Sequence, residues 1–322
     1  MKKRLIGILC CTAVILSALL LFSALPAEAV TENGLTYTVT GNEATLTKCD
    51  VTDEDFRIPE TLGGFPVTAL KAGFLKTNPN VKTLRIPASV QKIPKELFRN
   101  YETSFYCPET VIFEGETVAE MSDQAFYLAR GLRTVVLPSK MTATSRAMFR
   151  SSTIENIVLP ETLQTIADET FYDCPSLKTI RIPESVTTIG SKAFYSDVYL
   201  SSILDLYNVR SIGTEAFRNC QLLSHVKIYQ ANCKIGSGAF RQCSAPLHLY
   251  GRRGSTAYTY CQNDGETYPY YNCLTDEDHV YSGEGIVALA PTERYFGLMV
   301  RQCETCKKTE KTSIPKLTSA NE

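Results

Sequence analysis

Apolar residues return along this chain with two superimposed rhythms. In Leu177-Lys178-Thr179-Ile180-Arg181-Ile182 the alternation puts Ile180 and Ile182 on one side and Thr179 and Arg181 on the other, which predicts a short half-buried strand. Val186 and Ile189 then fill a second side, and Phe194 closes the unit. The closing phenylalanine recurs at Phe74, Phe98, Phe126, Phe149, Phe171, Phe194, Phe217 and Phe240, at intervals of 24, 28, 23, 22, 23, 23 and 23 residues. A period in the twenties held over eight units predicts a solenoid with one coil per repeat, because no single unit can bury its apolar side without stacking on a neighbour. The short strand in each unit makes the expected fold strand-rich.

Each recurring position has a mechanical role. Proline follows the strand at Pro59, Pro87, Pro138, Pro160 and Pro183, where its missing donor ends the ladder. Gly190, Gly213 and Gly236 stand where the chain turns and are expected to need positive φ. Phe194 is expected to stack on Phe171 and Phe217 as part of a spine between coils. Three positions after the phenylalanine, Cys174, Cys220 and Cys243 recur with the coil, which reads as a buried packing position rather than a redox or metal array.

The amino terminus follows another rule. Lys2, Lys3 and Arg4 precede an uncharged apolar run from Leu5 to Leu25, Pro26 breaks it, and Ala27-Glu28-Ala29 supplies the small-x-small pattern of a signal peptidase site. Export with cleavage after Ala29 is expected, an uncleaved anchor being the other reading of so long a run. No second long apolar segment follows, so no membrane insertion is expected after cleavage.

The 322 residues are 44% hydrophobic and 21% charged with a net charge of -1, a globular composition. Loss of residues 1–29 leaves 30 Lys+Arg against 33 Asp+Glu, without the positive excess that attracts phosphate backbones, so no nucleic-acid partner is expected. The three histidines, His225, His248 and His279, are scattered in sequence, which disfavours triad and multi-His metal chemistry. There is no GxSxG, HExxH or phosphate-binding glycine loop.

The pattern I-P-x-x-V-x-x-I-G-x-x-A-F, from Ile182-Pro183 to Phe194, with the x-x-C that follows Phe217 at Cys220, resembles the BspA-type leucine-rich repeats of bacterial surface and secreted proteins. Gly34-Leu35-Thr36-Tyr37-Thr38-Val39 and Gly64-Phe65-Pro66-Val67-Thr68 resemble that family's opening hairpin and first coil, and Tyr250-Gly251 with Gly254-Ser255-Thr256-Ala257 its closing segment. The resemblance implies a strand-rich α/β fold, a leucine-rich-repeat solenoid of about eight coils with a curved parallel β-sheet and a cap at each end, and a role in adhesion to host matrix proteins or other cells. The organisation read from it is a signal peptide at 1–29, a cap hairpin at 30–57, the solenoid at 58–250, a second cap at 251–271 and a small Cys/His module and tail at 272–322. The third unit departs from the pattern, with an insert at Glu102–Cys107 and Glu114 where proline is usual.

A solenoid writes its specificity in outward positions. Taken just before the last inward strand residue, that row is Arg85, Ile112, Val136, Val158, Arg181, Asp205, Lys227 and His248. Ile112, Val136 and Val158 form an apolar centre between charges, as a binding face does; strand propensity alone also selects such residues. Tyr258, Tyr260, Tyr268, Tyr270 and Tyr271 suit either an aromatic platform or a shield over the last coil, and their place at the solenoid end favours the shield. In the tail, Cys303-x-x-Cys306 with Cys273 and His279 has the donors for a structural zinc, with a disulfide or unliganded cysteines as alternatives in an exported chain.

These features point to a secreted or loosely surface-associated, non-enzymatic protein that binds an extracellular protein or glycan, such as host matrix. The alternative is an extracellular hydrolase acting on wall or host glycan. Glycosidases need two converging carboxyls, whereas Glu161 and Glu184 occupy the same turn position of successive units.

Overall fold

The structure, a computed structural model, describes residues 28–98, 106–116, 120–201, 203–243, 247–251 and 254–263, with strand segments 270–271, 286–289, 297–302 and 309–314. Three backbone ladders run along the repeat, one for each side of the coil. The longest strands build the first. Asp55–Arg57, Thr83–Ile86, Thr110–Phe113, Thr134–Val136 and Asn156–Val158 pair in parallel as one sheet, and Ile203–Leu206, His225–Ile228, His248–Tyr250 and Tyr270–Tyr271 as another. Alternation sends Leu84, Val111, Val135, Leu204 and Val226 into the core. The prolines turn the chain as well as ending the strand: the carbonyls of Pro87, Pro138, Pro160 and Pro183 accept bonds from the N–H groups of Val90, Met141, Leu163 and Val186 at 3.0–3.1 Å. Glu114, which has an N–H where the others have none, donates it to the Ile86 carbonyl at 2.8 Å.

Two-residue strands form the second ladder, among them Thr165–Ile166, Thr188–Ile189, Ser211–Ile212 and Lys234–Ile235. The glycines that follow correct an expectation. Gly190, Gly213 and Gly236 are absent from the positive-φ residues; a Cβ on Gly213 would stand 2.4 Å from the Ser191 nitrogen, and on Gly236 2.4 Å from that of Thr214. Glycine is needed here because successive coils touch, not because the chain turns left-handed.

The left-handed backbone lies in the third ladder. Glu169, Lys192 and Glu215, two residues before a phenylalanine, and Asp173, Ser196 and Asn219, two after, have φ of 55–63°. Between them the N–H of Phe171, Phe194 and Phe217 donates to the carbonyl just ahead of the next phenylalanine, at 2.7 Å in each case. The rings stack as expected, with centroids 4.9–5.5 Å apart and planes within 2–17° from Phe126 to Phe240. Beside this spine the thiols of Cys174, Cys220 and Cys243 are free and donate to the carbonyls of Phe149, Phe194 and Phe217 at 3.0–3.1 Å. Asp197 fills the same slot between Cys174 and Cys220; it is fully buried, accepts the Cys174 N–H at 2.7 Å, and burial pushes its carboxyl well above the usual range.

Both ends are closed. Ala29–Glu32, Leu35–Thr40 and Glu43–Cys49 form an antiparallel meander whose last strand pairs in parallel with Phe65–Leu70. At the other end the Thr256–Asn263 helix sets Tyr260 edge-on to Phe240, centroids 5.8 Å apart. Its hydroxyl accepts the Phe240 N–H at 3.2 Å, standing in for the carbonyl a further coil would supply. Tyr258 is exposed, and Tyr268 lies outside the described residues. Ile286–Leu289, Gly297–Gln302 and Thr309–Ile314 form a separate antiparallel sheet. Residues 1–27 and the insert at 102–105 also lie outside the described residues. Among those described, no helix is long and apolar enough to cross a membrane.

Candidate functional site on the strand face

Register places Arg57, Arg85, Ile112, Val136 and Val158 in one outward line. Beyond the interruption the line resumes as Asp205, Lys227 and Tyr250. His248 does not belong to it. It faces His225, one pair of positions earlier, because the last inward position of that coil falls on buried Gly251 rather than on Leu249. The charged members largely satisfy one another. Arg85 donates to both Asp55 carboxylate oxygens at 2.8 and 2.9 Å, holding that carboxyl below its ordinary range, Arg57 reaches Glu114 at 2.6 Å, and Lys227 lies 3.5 Å from Asp205. Ile112 and Val136 are half-buried, whereas Val158 is 59% exposed.

Two histidines judged scattered are in contact. The rings of His225 and His248 lie 4.8 Å apart, since 23 residues is one coil, and Ser224 Oγ is 2.8 Å from His225 Nδ1. Burial, then the charges of His248 and Lys227, lower the His225 pKa. Among the described residues no group of three or more His, Cys, Asp or Glu is placed to hold a metal. Cys273, His279, Cys303 and Cys306 lie outside the described residues.

The strand face is interrupted at one coil. Asn156–Val158 and Ile203–Leu206 are each the end strand of a sheet, and residues 177–183 between them form no strand. Along this gap runs a cavity of about 610 Å³, floored by Thr179–Ile182 and walled by Val158 and Ile203, with Glu184 and Tyr207 in its lining. A second, of about 520 Å³, meets it at Asn156 and Thr179 and extends along the same coil past Lys178 to Pro175 and Tyr199.

A family profile for the BspA type leucine rich repeat region matches the chain in six copies, over residues 68–201 and 119–247, together more than half its length. The chain belongs to the BspA-type leucine-rich-repeat family. Solved structures similar to this BspA-type chain include a leucine rich cell surface protein of Faecalibacterium prausnitzii A2-165, with 22% identity over 70% of this chain and 76% of that one at a TM-score of 0.42. Others are the pneumococcal vaccine antigen PcpA, with 18% identity over 71% and 82% at 0.44, and the T. pallidum leucine rich repeat protein, with 17% over 77% and 100% at 0.43. No curated protein matches the chain.

The BspA-type coil also presents side chains next to its spine, and these are occupied with each other. Tyr172 and Tyr195 stack at 4.8 Å, Arg150 lies 4.3 Å over Tyr172, and Arg218 lies 5.8 Å from the Tyr195 ring. Glu169 binds Arg146 and Arg150, and Glu215 binds Arg218 and Lys192. Burial raises the Glu169 carboxyl, but the two arginines outweigh it and leave the pKa lowered.

Proposed function

We propose that this BspA-type protein is an extracellular, non-enzymatic binding protein that works in adhesion and engages a protein or glycan through its strand face. One contrast carries the reading: the spine face is closed by its own stacked and ion-paired side chains, whereas the strand face offers exposed Val158 and Ile203 and an open trench. The contact row is Arg85, Ile112, Val136, Val158, Arg181, Asp205 and Lys227. The residue 1–29 pattern supports export. The buried thiols favour a structural role, since burial raises their pKa, for Cys233 to about 12, and a protonated thiol is a poor nucleophile.

The test is capture of the chain lacking residues 1–29 on immobilised matrix proteins, mucins and a glycan array, beside a variant with Ile112, Val136 and Val158 all changed to Thr. Saturable capture by the parent, weakened at least tenfold in the variant with its unfolding midpoint kept, is the expected result. Equal capture by both contradicts the reading. So does turnover of a glycan or peptide substrate that one carboxylate substitution abolishes.

A further inference from the structure

We infer that the trench along residues 175–184 seats an extended polypeptide segment, acidic at the end beside Lys178, basic at the end beside Glu184 and β-branched between. This rests on the strand face being the binding face, and it names the partner there as polypeptide rather than glycan.

Shape is the first argument. The two cavities share Asn156 and Thr179 and follow a single coil from Pro175 to Glu184, so the trench is elongated in the strand direction. The walls are the second argument. Asn156–Val158 and Ile203–Leu206 each end their sheet on the side of the trench, and an open strand edge presents main-chain N–H and C=O groups that pair with an added strand. Side chains suited to alternate residues of that strand stand on both walls, with Val158 and Ile203 each 59% exposed.

Charge gives the occupant its direction. Three charged residues of the trench are already committed inside the protein: Arg181 to Glu161, Glu155 to Arg133, and Asp205 to Lys227, with Tyr229 also donating to Asp205. Arg181 and Asp205 therefore bring little net charge to a ligand. Lys178 and Glu184 are exposed and form no ion pair among the described residues. Lys178 lines the second cavity and Glu184 the first, six positions apart along the coil, so an acidic group and a basic group at the matching places of the occupant complete both.

The experiment offers the chain lacking residues 1–29 a positional-scanning library of decapeptides, acetylated and amidated so that terminal charges play no part. Expected is enrichment of Asp or Glu towards one end, Lys or Arg towards the other, and Val, Ile or Thr between. In the double variant Lys178→Glu with Glu184→Lys, the preferred signs exchange ends while the central preference stays. Val158→Asp with Ile203→Asp lowers retention at least tenfold, with the unfolding midpoint unchanged in both variants. No enrichment over beads without protein, or charge preferences that ignore the reversal, overturns the inference. A glycan or folded protein captured equally by parent and charge-reversed chain, but lost with the Ile112/Val136/Val158 variant, also overturns it and leaves the broader strand-face reading standing.

Discussion

The spine face and the strand face are built by the same repeat and behave in opposite ways. Along the spine, each phenylalanine N–H finds a carbonyl at 2.7–2.8 Å in the next coil from Phe126 to Phe217, and the rings stack without a break. Along the strand face the ladder stops after Val158 and resumes at Ile203. The difference teaches that the buried side sets the pitch of the solenoid, while the strand side can break its ladder without breaking the stack of coils.

The strongest way to break that comparison is to remove a spine ring. Phe194→Ala deletes a fully buried side chain between two stacked neighbours and should cost about 3–5 kcal/mol, read by denaturant titration, while Val158→Ala on the open wall should stay within about 0.5 kcal/mol. Similar losses at the two sites mean that the spine does not set the pitch. Gly213→Ala comes next. Its Cβ meets Ser191 backbone and forces two coils apart, an overpacking cost of about 1–3 kcal/mol.

A smaller effect, of opposite sign, is expected at Asp197. Its folded pKa is raised by burial, so the native state keeps its proton where the unfolded chain, with an ordinary value of about 3.9, gives it up. The native state is therefore favoured fully below that pH and loses stability as pH rises towards the folded value. Asp197→Asn should raise the thermal midpoint at pH 8 and flatten its pH dependence, leaving the midpoint near pH 4 little changed. A variant less stable than the parent at pH 8 means that the carboxylate is ionised in the folded protein and paired.

Much of the fold was legible because the repeat repeats its reasons. The phenylalanine interval and the proline after the strand each state a local rule many times over; the Ile180/Ile182 alternation gives the right inward side but the wrong element, since both are buried and residues 177–183 form no strand. The glycines were misread because a small residue at a turn fits both positive φ and close approach, and only the neighbouring coil decides between them. The left-handed positions fell on Glu169, Lys192 and Glu215, where nothing in residue type marks them. His225 and His248 looked remote because sequence distance misleads in a solenoid. The interruption falls in the most regular unit, Leu177–Ile182, where the alternation of residue types gives no sign of it. Asp197 was equally visible as the third residue after Phe194, in a slot noticed only where it held cysteine.

The smallest effect belongs to the Ile112, Val136 and Val158 triple threonine variant, whose stability should stay within about 1 kcal/mol of the parent.

Hydrogen exchange on the chain lacking residues 1–29 tests the central claim most directly, because it reads both faces in one molecule without a ligand. The account predicts slow exchange for the amides of Phe149, Phe171, Phe194 and Phe217 alike, and exchange at least tenfold faster at Lys178, Thr179 and Arg181 than at the inter-strand amides of Val135, Val226 and Lys227. Equal protection through residues 178–181 and those strands, or a spine that opens at the same coil, contradicts it.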